Sequence, residues 1–163
     1  MYNFTQLLTS SPLTLYIIFV FLYLITFEKI FIIFIFLFFI FGFIFNISLK
    51  SIFRQNRPYN AGNCGLYTNL YKNNSYGMPS MHAQIWAIFS LFWSIYLIRK
   101  PHPTKHYIIS IIIFWILFFI VCWQRVNSKC HNTWQVLVGS IVGFISAIVM
   151  YIICNCIDNK KFP

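Results

Sequence analysis

Long apolar runs alternate along this chain with short polar islands. Five runs approach the roughly 17–20 residues that a helix needs to cross a bilayer. They cover about Leu13–Phe27, Ile30–Ile47, Ser80–Ile98, Tyr107–Trp123 and Val136–Cys154. Three polar islands sit at the edges of these runs: Lys50 to Pro58, Gly77 to His82, and Arg125 to Gln135. The last run carries Gly139, Gly143 and Ala147 at four-residue spacing, a stripe suited to close helix packing. The expected fold is all-α, a polytopic transmembrane helical bundle of about five helices. It forms a single domain over residues 1–163, because the polar loops are too short to fold alone. Residues 1–12 lack the basic start of a signal peptide, and no small-residue cleavage site follows.

Composition sharpens this picture. Of 163 residues, 60% are hydrophobic and only 9% charged. Mean hydropathy is +0.73, which rules out an ordinary soluble domain. The net charge is +10, and Glu28 and Asp158 are the only acidic residues. Calcium and magnesium sites, two-metal phosphatases and paired-carboxylate glycosidases all need more carboxylates than that. Chemistry here must run on His, Lys, Arg, Ser and backbone groups, so neither a metal nor a cofactor is expected. The partner expected is a lipid in the membrane, not a nucleic acid.

Charge also orients the chain. Arg99, Lys100 and Lys105, with Lys160 and Lys161, mark the cytosolic side. The N-terminus, loop 59–78 and all three polar islands then share the far side. Basic residues there oppose the trend. Arg54, Lys72 and Lys129 read as side chains snorkelling to headgroups. Lys50 and Arg57 are seven apart, two helical turns on one face. With Arg125 they make a cationic pocket that no carboxylate neutralises, and phosphate is the common anion for such a pocket.

Candidate chemistry fills that pocket. His131 and Gln135 are four apart and would share a helix face. The Gln135 amide oxygen could take the proton of one ring nitrogen, leaving the other bare toward an anion held by Arg125. Pro79 suits a first helical turn, where free N–H groups and the Ser80 hydroxyl can cradle an anion. His82 projects into the same space. Cys64 and Cys130 lie in polar loops and are open to two readings: a disulfide in an oxidising compartment, or free thiols. No Cys spacing suits structural zinc.

Lys50-x6-Arg57-Pro58, Pro79-Ser80-Met81-His82 and Arg125-x5-His131 together resemble, in order and spacing, the signature of the type-2 phosphatidic acid phosphatase superfamily. Within it, the Gly77–Gln84 stretch and the ending His131-x3-Gln135-Val136 resemble the dolichyldiphosphatase group, whose Gln stands where most relatives have Asp. Met81 and Ala83 depart from that group's second motif. Gln124 stands where the family usually has Ser, and many relatives have six spans. The resemblance implies that His131 is a nucleophile forming a phosphohistidine, and that Gln135 orients it. His82 would be the general acid, which asks for a charged His82 beside a neutral His131. Lys50, Arg57, Ser80 and Arg125 would hold the phosphoryl oxygens.

The implied reaction is hydrolysis of a lipid diphosphate, foremost dolichyl diphosphate to dolichyl phosphate plus phosphate, which recycles the glycan carrier of N-glycosylation. Two alternatives stand beside it. One is a phosphatase for another lipid phosphate, such as phosphatidate or a shorter polyprenyl diphosphate; the other is a silent lipid-phosphate-binding membrane protein. The tail Lys160-Lys161-Phe162-Pro163 resembles a dilysine retrieval signal, and reads equally as a plain positive-inside tail. The expected location is the endoplasmic reticulum membrane, with the site lumenal and the C-terminus cytosolic. Asn3 and Asn73 lie in Asn-x-Ser/Thr sequons on the lumenal side. Nothing in the residues sets an oligomeric state.

Overall fold

A computed structural model describes residues 4–26, 28–59, 64, 76–100 and 105–157. Lys72, the sequon residues Asn3 and Asn73, and the tail lysines Lys160 and Lys161 lie outside them. Every element among the described residues is helical. Helix α1 spans Phe4–Thr26. Helix α2 (Lys29–Phe39) runs through a π turn (Ile40–Ile44) into α3 (Phe45–Phe53), and the three form one rod. Then follow α4 (Met81–Ile98), α5 (Lys105–Asn127) and α6 (Thr133–Ile157). The rod, α4, α5 and α6 are each long and apolar enough to cross a membrane, and α1 contains the shorter apolar stretch Thr14–Ile25.

The helices outrun the apolar runs in the sequence. α1 begins nine residues before the expected Leu13, because Thr5, Gln6 and Ser10 continue the helix without being apolar. The second span extends six residues past Ile47 to Phe53. It stops where Arg54 takes a left-handed conformation (φ 48°), its N–H donating to the Lys50 carbonyl at 3.0 Å.

Helix α4 is the hub. In its most apolar stretch 67% of residues are buried, against 11% for α5, which lines the outside. On α5, Ile109, Ile112, Ile116, Phe119 and Trp123 face outward, as lipid-facing residues do. Small residues bring α6 onto α4. A Cβ on Gly139 would stand 2.6 Å from the Ser80 carbonyl oxygen, and one on Gly143 would strike the Gln84 backbone. The small-residue stripe thus lets two backbones touch, as expected of it. Hydroxyls join α4 to α5: Ser90 Oγ donates to the Phe114 carbonyl at 3.0 Å, and Trp115 Nε1 donates to Ser94 Oγ at 3.1 Å.

At one end of the bundle the C-terminus of α3, the N-terminus of α4, the C-terminus of α5 and the N-terminus of α6 meet. At the other end Arg99 lies over the Tyr151 ring and Lys100 over Tyr96, at 5.5 and 5.0 Å. Basic anchors and polar islands therefore occupy opposite ends.

Candidate active site

The polar end gathers the residues singled out from the sequence. Lys50 Nζ donates to the Tyr76 carbonyl at 3.0 Å, tying the first island to the second. The Ser80 N–H donates to the Gln135 carbonyl at 3.0 Å, tying the second to the third. Arg57 Nη1 donates to the Cys130 carbonyl at 3.2 Å and lies 3.4 Å from His131 Nε2. The His131 N–H donates to the Arg125 carbonyl at 3.2 Å.

The His131 ring is almost wholly buried, at 2% exposure. Its Nδ1 lies 2.8 Å from the Gly77 carbonyl oxygen and 3.3 Å from Gln135 Oε1. A carbonyl oxygen only accepts, so Nδ1 carries the hydrogen. In the neutral ring Nε2 is then the bare nitrogen, and it faces Arg57. Burial, then Arg57, Arg125, Lys50 and His82, hold the ring's pKa well below its ordinary 6.5. Arg57, Arg125, Lys50 and His82 thus all act on the imidazole through their charge. Burial also lowers the pKa of Arg57. Among the described residues no carboxylate enters the cluster.

Three local readings need correction. His131 is not on a helix: α6 starts at Thr133 and Asn132 caps it. Asn132 Oδ1 accepts the Gln135 N–H at 2.8 Å, and Gln135 Oε1 accepts the Asn132 N–H at 3.3 Å. This reciprocal capping box fixes Gln135 at the helix start and holds its oxygen near the ring. Nor do Lys50 and Arg57 share a helix face. The left-handed Arg54 ends α3 before Arg57, as Pro58 disfavours helix at the residue before it, and the Arg57 guanidinium reaches across to His131. Pro79, for its part, precedes the N-cap Ser80 instead of occupying the first turn.

The sequence reading missed several supports. Gln135 Nε2 donates to Gln55 Oε1 at 3.1 Å and to the Asn56 carbonyl at 2.9 Å. The Gly77 N–H donates to the Gln55 carbonyl at 2.7 Å. A Cβ at Gly77 would sit 2.6 Å from the Gln135 amide, so only glycine brings that carbonyl to the ring. Deeper in, Asn46 Nδ2 donates to Gln84 Oε1 at 2.7 Å, and Gln84 Nε2 donates to the Phe41 carbonyl within the π turn, also at 2.7 Å. Cys64 and Cys130 form a disulfide.

Some buried polar atoms in the cluster have no hydrogen-bond partner among the described residues. They are Ser80 Oγ, Arg125 Nε and Arg125 Nη1, all possible donors, and Gln124 Oε1. Burying donors unpaired costs about 1–3 kcal/mol each unless a ligand meets them. Buried donors without a partner, in a cluster of basic residues, suit a tetrahedral oxyanion.

An integral-membrane helical bundle with a cationic histidine site is thus the class of protein in view. The chain belongs to the PAP2 superfamily, whose model matches residues 30–155. It is 30% identical over 109 residues to Dolichyldiphosphatase 1 of Dictyostelium discoideum, covering 65% of this chain and 44% of the relative. It is 31% identical over 117 residues to Dolichyldiphosphatase of Saccharomyces cerevisiae, covering 70% and 48%. Lipid phosphate phosphatase epsilon 2 of Arabidopsis thaliana is 28% identical over 122 residues, covering 73% and 38%. The chain spans about half the length or less of these relatives. No solved structure matches it.

Proposed function

We propose that the protein is a metal-independent lipid diphosphate phosphatase, with dolichyl diphosphate the foremost substrate. One observation carries the reading: the buried His131 ring, held at Nδ1 by the Gly77 carbonyl, turns its bare Nε2 toward Arg57, at the end of the bundle where Ser80 and Arg125 keep buried donors without a partner among the described residues. The family match and the names of the relatives support the choice of a phosphorylated lipid, and the site's place at the membrane boundary supports a headgroup.

In this mechanism Lys50, Arg57, Arg125 and the Ser80 hydroxyl hold the terminal phosphoryl group. Charge spreads over its oxygens in the transition state, so fixed cations stabilise that state more than the ground state. His131 Nε2 forms a bond to the terminal phosphorus while the bridging P–O bond breaks. His82 gives its proton to the leaving oxygen, releasing lipid monophosphate. The phosphorylated ring is cationic, and the Gly77 carbonyl and Gln135 Oε1 accept its Nδ1–H. Water then attacks the phosphorus, passes a proton to His82, and frees phosphate and neutral His131. The basic residues at the opposite end of the bundle support a cytosolic position for that end. They favour a lumenal site in the endoplasmic reticulum membrane, where a dolichol carrier would be recycled for N-glycosylation.

The test is phosphate release by the detergent-purified protein in EDTA, with dolichyl diphosphate, dolichyl phosphate and phosphatidate offered side by side. Selective release from the diphosphate is expected. Release from all three would instead make it a broad lipid phosphatase, and release from none would make it a binder of lipid phosphates.

A further inference from the structure

The disulfide stands inside the candidate phosphate cradle. Cys64 and Cys130 are 66 residues apart in sequence, and both are buried. Each half-cystine offers its backbone carbonyl to one of the two site arginines. The Cys64 carbonyl accepts from Arg125 Nη2 at 2.9 Å, and the Cys130 carbonyl accepts from Arg57 Nη1 at 3.2 Å. A guanidinium is planar and rigid, so fixing one nitrogen fixes the direction of the others. Arg125 is 1% exposed, and its Nε and Nη1 are the ones without a partner among the described residues. Arg57 Nη1, held by Cys130, is the atom that faces His131 Nε2.

Resting on the phosphatase reading, we infer that the Cys64–Cys130 disulfide is a positioning device for phosphate: it aims Arg125 at the oxyanion beside Arg57, and reduction disarms the site. Cys130 is anchored in any case by its neighbour His131. Cys64 belongs to the long connection between α3 and α4, and the cross-link ties it to the residue next to His131 while its carbonyl holds Arg125. Once the bond is cut, Arg125 loses the acceptor that sets its plane. A buried site of misaligned donors binds an oxyanion less well and stabilises its transition state less. Such a site works only where the loops face an oxidising compartment.

An ordinary staple would behave differently. It would raise the melting temperature by constraining the unfolded chain and leave the folded enzyme's constants alone. The experiment uses the full chain in detergent and reads three quantities: kcat/KM with dolichyl diphosphate, the affinity for orthovanadate by calorimetry, and the melting temperature. Dithiothreitol supplies two electrons and two protons, turning the disulfide into two thiols while it closes to its own cyclic disulfide. Alkylation and mass measurement verify the reduction against the free Cys122, Cys154 and Cys156.

At a temperature where the reduced protein stays folded, kcat/KM and vanadate affinity should each fall about tenfold or more, and oxidised glutathione should restore both. The double variant Cys64→Ser with Cys130→Ser should match the reduced protein and ignore dithiothreitol. A lower melting temperature with unchanged kcat/KM and vanadate affinity would overturn the inference. If the oxidised protein releases no phosphate at all, the phosphatase reading fails. Vanadate affinity then decides the positioning claim by itself: a fall on reduction supports it, and no fall sinks it.

Discussion

The aromatic middle of the bundle and its polar end are cut from the same helices and are equally buried, yet they are built on different rules. In the middle, Phe34 and Phe92 are fully buried with ring centroids 4.7 Å apart, and Phe19 stacks on Trp93 at 5.2 Å. At the polar end, Gln135, Arg125 and His131 are buried to the same degree. The middle needs only shape. Lipid tails are as apolar as phenyl rings, so what holds it is close packing and not escape from water. The polar end needs partners, and most of its groups have them. Unpartnered polar atoms occur in both regions: Tyr16 Oη and Trp93 Nε1 on aromatic rings of the middle, and Asn46 Oδ1 and Gln124 Oε1 on amides. At the polar end they also include a hydroxyl and two nitrogens of a cation in the cluster that holds a histidine. The difference teaches where to look for function: in unpartnered donors that share a charge and a nucleophile.

Breaking the comparison at its strongest point means His131→Ala. Turnover should fall by about 10³-fold or more, because the nucleophile itself is gone. The melting temperature should stay within a few degrees of the parent, since the aromatic middle is untouched. Phe34→Ala is the mirror experiment. It empties a fully buried site and should cost about 3–5 kcal/mol of stability, read by thermal or denaturant unfolding. The kcat/KM of the remaining folded protein should change little.

Gly139→Leu strikes the seam between the two regions, where a Cβ already meets the Ser80 carbonyl at 2.6 Å. It should lower stability by about 1–3 kcal/mol and also lower kcat/KM, because pushing α6 off α4 moves Ser80. Loss of stability with full activity would show that the seam does not position the site. Gln135→Ala is expected to be milder, about tenfold or less in kcat, since the Gly77 carbonyl still holds Nδ1–H. In Gln135→Asp activity should likewise persist, with a shifted pH profile.

The pH profile sharpens the comparison most gently. Burial, with Arg57, Arg125, Lys50 and His82 nearby, disfavours the charged His131, so its folded pKa lies well below 6.5. The reactive neutral ring therefore persists as pH falls through 6.5. The acid limb of kcat/KM assigned to His131 should appear only well below that value. A limb near 6.5, abolished by no other substitution, would contradict the assignment.

Much of the fold was legible because lipid imposes long apolar runs, and much of the site because polar groups at their edges need a reason to be there. Spacing and orientation placed Lys50, Arg57, Ser80, Arg125, His131 and Gln135 on one membrane face, and the motif resemblance joined them into one site. The local geometry was harder. Spacing of four suggested that His131 and Gln135 share a helix, although Asn132-x-x-Gln135 already carried the capping-box pattern that starts α6 after His131. Pro58 likewise signalled that Arg57 would lie outside the helix. The Gly77 carbonyl left no trace, because a backbone acceptor has no letter of its own. Asn46 and Gln84 were illegible as partners, since 38 residues separate them and only the folded bundle brings their amides together.

The central claim is that His131 takes the phosphoryl group. Its most direct test is a rapid quench of the purified protein with dolichyl diphosphate radiolabelled in its terminal phosphate. Label should appear on His131 in acid-labile, base-stable form, at a rate that accounts for turnover, and be absent from His131→Ala. Turnover at full rate with no label on the protein, or label on another residue in the His131→Ala variant, would contradict the account.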